Sequence, residues 1–191
     1  MPLHSRLANK LPMTFMNQFT LLLGLLIVAA SGSVYGQQAP CSGPEFRQFD
    51  FWVGEWDVYH STADTIVGYN HIKNILNGCV IEENWTGGSG FLGKSFNTYN
   101  PVDSTWNQVW VDAGGSNYHF KGGFTDGRML LKGETISRQN GQKVLFEMSY
   151  TPDPDAHTVR QVWKASRDEG ASWNTIFDGV YKKRPTVDGG R

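Results

Sequence analysis

Acidic and amide side chains share strand faces with large aromatic residues in three segments of the chain. Glu83 stands two residues before Trp85, and Gln108, Trp110 and Asp112 are likewise spaced two apart. Side chains alternate between the two sides of a strand, so residues two apart point the same way. A face built only for packing would carry Val, Ile and Leu, whereas these faces are typical of a pocket wall for a partly polar molecule. The three segments are 79–85, 95–99 and 106–112.

Two kinds of chemistry are open to these faces. Glu83 and Asp112 share the predicted inner face, and paired carboxylates could act as general acid and base if suitably separated. Buried carboxylates more often accept hydrogen bonds from Trp, Tyr or Arg, and Arg160 is a candidate partner. We therefore favour ligand binding and assign no catalytic residue. The predicted apolar contacts are Trp85, Tyr99, Trp110 and Trp163, and the predicted polar contacts are Glu83, Asn97, Gln108 and Asp112.

Two alternatives to a ligand-binding protein stay open from the sequence. The first is an enzyme that uses the same cavity, with Glu83 or Asp112 as acid or base. The second is a structural or interaction protein whose interior is packed solid by tryptophan side chains.

Other catalytic and metal-binding patterns do not occur in the sequence. There is no Gly-x-Ser-x-Gly elbow, and no Ser/His/Asp set stands out. His60, His71, His119 and His157 are scattered without the spacing of metal ligands. Two cysteines without paired histidines do not make a zinc site. The sequence therefore predicts no metal and no cofactor.

One local motif, with Ser166, Asp168, Gly170 and Trp173 at its fixed positions, matches the Asp-box of sialidase propellers. In propellers this box is a repeated hairpin turn that lies far from the catalytic residues. Here it occurs once, between the last two predicted strands. We interpret it as a structural turn and not as a sign of carbohydrate hydrolysis.

The elements that would position these residues are about ten short strands. Aromatic residues make up 13% of the chain and 22 of its 191 residues are Gly, which is an all-β composition. Closure into a barrel would remove exposed strand edges, and barrels of eight to ten strands hold one small ligand. We therefore predict an all-β, antiparallel up-and-down barrel. The predicted strands are 54–61, 66–76, 79–86, 94–100, 106–113, 118–125, 128–138, 143–151, 158–167 and 175–183.

The first predicted strand opens with Gly54-x-Trp56 and resembles the first strand of lipocalin-like (calycin) barrels. In those barrels the Trp closes one end, and a basic residue from the last strand packs across its ring as a cation–π contact. The resemblance implies structural roles for Gly54 and Trp56. It also implies a basic partner among Lys182, Lys183 and Arg184, and Arg184 is our candidate for it.

From residue 49 to residue 184 the chain also resembles a bacterial family of small secreted proteins of unknown function. The shared segments are Asp-Phe-Trp-x-Gly-x-Trp at 50–56, Cys-x-Ile-x-Glu-x-Trp at 79–85 and Trp-x-Gln-x-Trp-x-Asp at 106–112. The resemblance implies a lipocalin-like barrel and carries no activity. Haem-binding relatives of this barrel type use a His near the last strand, and residues 177–184 contain none, which disfavours haem and leaves His119 as the alternative ligand.

The N-terminal segment 1–36 differs in composition from the rest of the chain. Arg6 and Lys10 precede an apolar run from residue 19 to residue 30, a pattern typical of a secretory signal peptide. The alternative is a membrane anchor, although a run of about 12 residues is shorter than the roughly 20 that a span needs. We predict a secreted or periplasmic protein with one mature domain, 37–191, and no stable membrane insertion after cleavage.

The two cysteines, Cys41 and Cys79, both follow the predicted signal peptide. An even count in an oxidising compartment predicts one disulfide, and two buried free thiols are the alternative.

The charge of the chain is close to balanced, with a formal net charge of −1. Without residues 1–36 it would be about −3, from 15 basic and 18 acidic residues. Because nucleic-acid binding needs a basic patch, we expect no nucleic-acid partner, and the predicted partner is a small-molecule ligand. The sequence indicates no oligomeric state.

Overall fold

Alternating inward and outward side chains run through ten antiparallel strands that close into a barrel. The structure, a computed structural model, describes residues 39–184. Each strand pairs with its neighbours in sequence, and the first strand pairs with the last. The predicted all-β, up-and-down barrel is confirmed, with strand bounds within two residues of those predicted. The strands are β1 (Gly54–His60), β2 (Ile66–Ile75), β3 (Val80–Gly87), β4 (Leu92–Asn100), β5 (Thr105–Asp112), β6 (Asn117–Thr125), β7 (Arg128–Ile136), β8 (Lys143–Asp153), β9 (Thr158–Ser166) and β10 (Asn174–Lys183).

The hairpin turns explain why neighbouring strands pair in this register. Asp126 and Gly127, between β6 and β7, have φ angles of 49° and 75°, and a two-residue turn of type I′ needs positive φ at both positions. Asn77 and Gly78 also have positive φ, of 57° and 89°. Between β2 and β3 they belong to a 3-10 turn, Leu76–Gly78, and the connection has four residues, two more than a two-residue hairpin.

The segment before β1 closes one end of the barrel with two 3-10 turns, Pro44–Arg47 and Asp50–Trp52. Residues 44–52 are termed the plug. The side chains of Phe49 and Trp52 are fully buried and stack with ring centroids 5.0 Å apart. Trp52 also lies 4.6 Å from the ring of Tyr150 on β8. Burial of these large aromatic rings supplies much of the apolar contact at this end.

A disulfide joins Cys41 to Cys79, with the two Cα atoms 5.0 Å apart, and confirms the predicted bond. It ties the chain before the plug to the residue before β3. The side chain of Arg47 strengthens this junction by donating hydrogen bonds to the carbonyl oxygens of Cys41, at 3.3 Å, and Gly78. Because disulfides persist in oxidising compartments, this bond indicates a location outside the cytoplasm.

No helix within residues 39–184 has the length and apolar character needed to cross a bilayer. The predicted signal peptide, and the membrane anchor weighed against it, fall in residues 1–36 and lie outside the described residues.

The Gly54-x-Trp56 opening lies at the plug end, where Trp56 is 3% exposed. The indole nitrogen Nε1 of Trp56 donates a hydrogen bond to the backbone oxygen of Trp52 at 2.9 Å. Lys183 pairs with Trp56 across β1 and β10, and its Nζ atom lies 5.7 Å from the indole ring. A basic residue at the end of the last strand therefore does pack across this tryptophan.

Lys183, and not the candidate Arg184, makes this contact. Arg184 follows the last residue of β10 and points away from Trp56, because side chains alternate along a strand. Its guanidinium lies 4.5 Å from the ring of Tyr69 and hydrogen-bonds the carboxylate of Asp57. Arg184 thus joins β1 and β2 on the outer surface.

Candidate functional site

Seven buried polar side chains from seven strands form a closed chain of hydrogen bonds inside the barrel, termed the polar ring. Each occupies an inward position of its strand, so the alternation that builds the core also directs these groups inside. The ring contains Asn70 (β2), Glu83 (β3), Ser95 (β4), Gln108 (β5), Tyr150 (β8), Gln161 (β9) and Tyr181 (β10).

The carboxylate of Glu83 is the acceptor at the centre of one half of the polar ring. It accepts hydrogen bonds from Nδ2 of Asn70 at 2.7 Å and from Oγ of Ser95 at 2.6 Å. The amide nitrogen of Gln108 donates to Oγ of Ser95 at 3.4 Å and to the hydroxyl of Tyr150 at 3.0 Å. These bonds connect β2 to β5 and then cross the barrel to β8.

The other half of the polar ring returns to Asn70 through two strands near the end of the chain. Gln161 donates from Nε2 to the hydroxyl of Tyr150 at 3.2 Å, and its Oε1 atom accepts from the hydroxyl of Tyr181 at 2.5 Å. Nδ2 of Asn70 lies 3.4 Å from the hydroxyl of Tyr181 and closes the ring.

Glu83 is the member of the polar ring that changes charge near neutral pH. Burial raises the pKa of Glu83 to about 7, and the hydrogen bonds from Ser95 and Asn70 lower it only in part. Burial, and then the charge of Glu83, raise the pKa of Tyr150 and Tyr181 well above the usual value for a phenol. Both phenols therefore stay neutral while Glu83 titrates.

A cavity of about 270 Å³ lies between the polar ring and the barrel end opposite the plug. Trp85 and Trp110 are two residues beyond Glu83 and Gln108 in the direction away from the plug, which places aromatic walls above a polar floor. The volume is near the lower end for small-molecule pockets. The floor is formed by Glu83, Gln108, Tyr150, Gln161, Tyr181 and Met148, the walls by Trp85, Trp110, Trp163 and Phe177, and the mouth by Phe91 and Ile176.

Two tryptophans of the cavity wall rest on glycines of neighbouring strands. The ring of Trp85 occupies the space where a Cβ atom on Gly68 would lie, and the ring of Trp110 occupies the same space at Gly93. The glycines let both indoles lie close to the barrel wall. The middle of the barrel consequently stays open above the polar ring.

Asp112 holds the indole of Trp110 from outside the cavity lining. Its Oδ2 atom accepts a hydrogen bond from Nε1 of Trp110 at 3.0 Å, and its Oδ1 atom accepts from the backbone nitrogens of Gly114 and Ser116 at 2.9 and 3.0 Å. Partial burial alone would raise the pKa of Asp112, but these hydrogen bonds together outweigh it and lower the pKa. Asp112 is therefore a positioning residue, ionised at neutral pH.

The structure brings five of the eight predicted ligand-binding residues together. Those lining the cavity are Glu83, Trp85, Gln108, Trp110 and Trp163. Asn97 lies nearer the plug and donates to the backbone oxygen of Ile81 at 3.1 Å. Tyr99 packs edge-on against Phe46 at the plug end, and Asp112 lies at the β5–β6 turn. An inward position does not ensure a place in the cavity, because one strand runs from the plug end to the mouth.

Sequence reasoning missed the contribution of β8 and β10. Met148 and Tyr150 are two residues apart, and Phe177 and Tyr181 are four apart, so each pair shares one face of its strand. Strand alternation would therefore have placed these side chains on inward faces. Ile176 could not be found in this way. It lies where the pairing of β10 with β9 is irregular, so that both Ile176 and Phe177 line the cavity.

Arg160 does not reach the carboxylates inside the barrel. Its guanidinium donates two hydrogen bonds to the carboxylate of Asp178, at 2.9 and 2.7 Å, on the outer face of β9 and β10. Gln161 beside it points inward, so Arg160 must point outward. The prediction that Arg160 partners a buried carboxylate is wrong.

The Asp-box forms a tightly bonded turn between β9 and β10. Asp168 accepts hydrogen bonds from the backbone nitrogen of Ser172 at 2.9 Å, from its hydroxyl at 2.5 Å and from the hydroxyl of Ser166 at 2.7 Å. These bonds, led by that from the Ser172 hydroxyl, lower the pKa of Asp168 to about 2. The arrangement agrees with the interpretation of this motif as a structural turn.

Comparison with known proteins gives no information on function beyond the geometry of the site. No protein-family model matches the chain, and no curated protein matches it. The resemblance to a secreted barrel family therefore stays a prediction. Within residues 39–184 no cluster of three or more His, Cys, Asp or Glu side chains could hold a metal ion.

Proposed function

We propose that this protein is a secreted or periplasmic barrel that binds a small, partly polar hydrophobic molecule in its cavity. The observation that carries the proposal is the arrangement of the cavity, in which buried polar side chains form the floor and aromatic rings form the walls. The rings offer apolar contact to the body of a ligand, and the carboxyl of Glu83 and the phenols of Tyr150 and Tyr181 offer hydrogen bonds to its polar part.

Export is the part of the proposal that rests on features outside the cavity. The Cys41–Cys79 disulfide suits an oxidising compartment, and the composition of residues 1–36 is that of a signal peptide.

Native mass spectrometry of protein expressed with export and purified gently tests the proposal. We expect a reproducible extra mass that is lost on denaturation. Trp110→Ala should lose this mass, whereas Trp173→Ala, which removes a tryptophan 39% exposed at the β9–β10 turn, should keep it. A ligand-free mass, together with no change in the NMR spectrum on addition of millimolar indole, would contradict the proposal.

A second candidate function is an enzyme in which Glu83 acts as a single general acid or base. It is favoured by the pKa of Glu83, about 7, because general acid–base groups work best near the operating pH. A mechanism with two carboxylates is not favoured, since Asp112 is bonded to the β5–β6 turn. Chemical conversion of the bound molecule that is lost in Glu83→Gln and kept in Glu82→Gln would identify an enzyme.

The cavity also argues against the third possibility, a barrel packed solid for a purely structural or interaction role. Glycines at positions 68 and 93 leave room for the rings of Trp85 and Trp110 against the barrel wall. Larger inward residues at these two positions would overlap the rings and take up this room.

A further inference from the structure

We propose that the cavity prefers a small organic cation, an amine or ammonium group on an apolar body, with Glu83 as its counter-ion. This inference rests on the proposed ligand-binding function. Among the described residues that line the cavity, Glu83 alone can ionise near neutral pH, and none is Lys, Arg or His. An ionised carboxylate that is buried without a positive partner is unfavourable, so a ligand that brings the positive charge is selected.

The surroundings of Glu83 contain more acceptors than donors. The side-chain oxygens of Asn70, Asn97 and Gln108 are buried and have no hydrogen-bond partner among the described residues. Two of these amides have a fixed orientation, because Nδ2 of Asn70 faces the Glu83 carboxylate and Nδ2 of Asn97 faces the Ile81 carbonyl. Gln108 is also one of the residues of the cavity floor.

An ammonium group has the complementary set of atoms. It carries up to three donors and no acceptor, and an ionised carboxylate can accept about four hydrogen bonds. Glu83 accepts only two within the polar ring, which leaves acceptor sites on both of its oxygens. An ammonium placed on the cavity floor could therefore bond to the carboxylate of Glu83.

The aromatic walls favour the same kind of ligand. A cation near the face of Trp or Phe is attracted by the ring electrons, and the attraction grows when water is excluded. Trp110 gives its N–H group to Asp112, so only its ring is available to a ligand. The cavity, of about 270 Å³, has the size for a small ligand of this kind.

Protonation of Glu83 would govern the uptake of such a cation. The groups packed around Glu83 are the neutral side chains of Asn70 and Ser95 and the phenols of Tyr150 and Tyr181, which stay protonated at pH 6–8. A cation beside the carboxylate favours its ionised form. Binding at pH 6 should therefore release a proton, and affinity should rise between pH 6 and pH 8.

Three probes of similar size separate the contribution of charge from that of shape. Isothermal titration calorimetry at pH 8 would compare the cation 2-phenylethylammonium with the neutral 2-phenylethanol and the anion 3-phenylpropanoate. We expect the cation to bind at least about tenfold more tightly than the alcohol, and the anion not to bind. Glu83→Gln should weaken binding of the cation by about tenfold or more and leave the alcohol within about threefold.

Glu82→Gln is the matched control, because it removes the neighbouring carboxylate, which faces outward and pairs with Lys94 at 3.6 Å. It should alter the affinity for neither the cation nor the alcohol.

A further measurement uses the unaltered protein, so its result does not depend on the folding of the Glu83 variant. Titrations at pH 6 in buffers of different ionisation enthalpy should report release of a proton with the cation and none with the alcohol.

The outcomes separate this proposal from the one on which it rests. Equal affinity for alcohol and cation, tighter binding of the anion, or no proton release at pH 6 would overturn the preference for a cation and leave ligand binding intact. If none of the three probes binds at millimolar concentration and the exported protein carries no extra mass, ligand binding in the cavity is itself wrong.

Discussion

The indole ring of Trp110 lies against the backbone of Gly93, where even a methyl group on the glycine would overlap the ring. Gly93 is on β4 and Trp110 is on β5, so the contact joins neighbouring strands at the level of the cavity. It fixes how far the indole extends into the barrel. The width of the cavity thus depends on a residue that has no side chain.

Replacing Gly93 with Ala should displace the Trp110 ring toward the cavity. We expect the free energy of unfolding to fall by about 1–3 kcal/mol, as in other overpacked interiors, and ligand affinity to fall with it. Urea unfolding followed by tryptophan fluorescence measures the first effect. Gly123→Ala is the matched control, because a Cβ atom on this strand glycine would meet no atom within 4 Å. Equal losses in the two variants would contradict the role given to Gly93.

The stability of the protein should depend on pH through Glu83. Its pKa in the folded protein, about 7, is above the ordinary value of 4.5, so the buried group favours folding less as it ionises. The free energy of unfolding begins to fall as pH rises above 4.5, and the fall is complete above pH 7. In total the loss amounts to about 3 kcal/mol. Glu83→Gln should therefore gain stability relative to the unaltered protein between pH 5 and pH 8.

Chemical denaturation of both proteins at pH 5 and pH 8 measures this difference. Glu82→Gln, on the outer face of the same strand, should show no comparable gain. A difference between Glu83→Gln and the unaltered protein that is the same at both pH values would refute the assignment.

Loss of the disulfide should weaken the closure at the plug end. Cys41 and Cys79 are 38 residues apart in sequence, and a cross-link over such a loop stabilises the folded state by about 4 kcal/mol in the chain-entropy account. The double variant Cys41→Ala/Cys79→Ala should lose about this much unfolding free energy. The intact mass of the unaltered protein, lower than the reduced value by two hydrogen atoms, verifies that the bond was present. Unchanged stability would show that the plug holds without it.

Asp112→Asn should loosen Trp110 while preserving the size of the side chain. Because Oδ2 accepts from Nε1 of Trp110, an amide nitrogen at that position would set one donor against another. We expect a loss of about 1–2 kcal/mol in stability, weaker ligand binding and a shifted indole N–H resonance of Trp110. Asp126→Asn, at the exposed β6–β7 turn, is the control. An unshifted resonance in the Asp112 variant would contradict the predicted role.

Strand alternation was sufficient to predict the barrel and the inward faces of β3 and β5. Glu83, Trp85, Gln108 and Trp110 line the cavity because their inward direction follows from spacing alone. Depth along the barrel axis does not follow from spacing. Asn97 therefore lies nearer the plug than the cavity floor, although it also points inward.

The partners within the polar ring could not be predicted from the sequence. Asn70 and Tyr181 are 111 residues apart, and their contact depends on the register of every strand between them. A similar limit applies at the end of β10, where a shift of one residue decides whether Lys183 or Arg184 faces Trp56. Local spacing specifies a face, whereas closure of the whole barrel specifies a partner.

The polar ring also bears on the register in which the barrel closes. Asn70 and Tyr181 lie on the two strands that flank β1, so the bond between them requires β1 to pair with both strands in the native register. A strand displaced by two residues would keep its apolar side chains inside. It would nevertheless bury Glu83 without Asn70 and Ser95, which is strongly unfavourable. The ring therefore selects one register among several that the apolar core alone would accept.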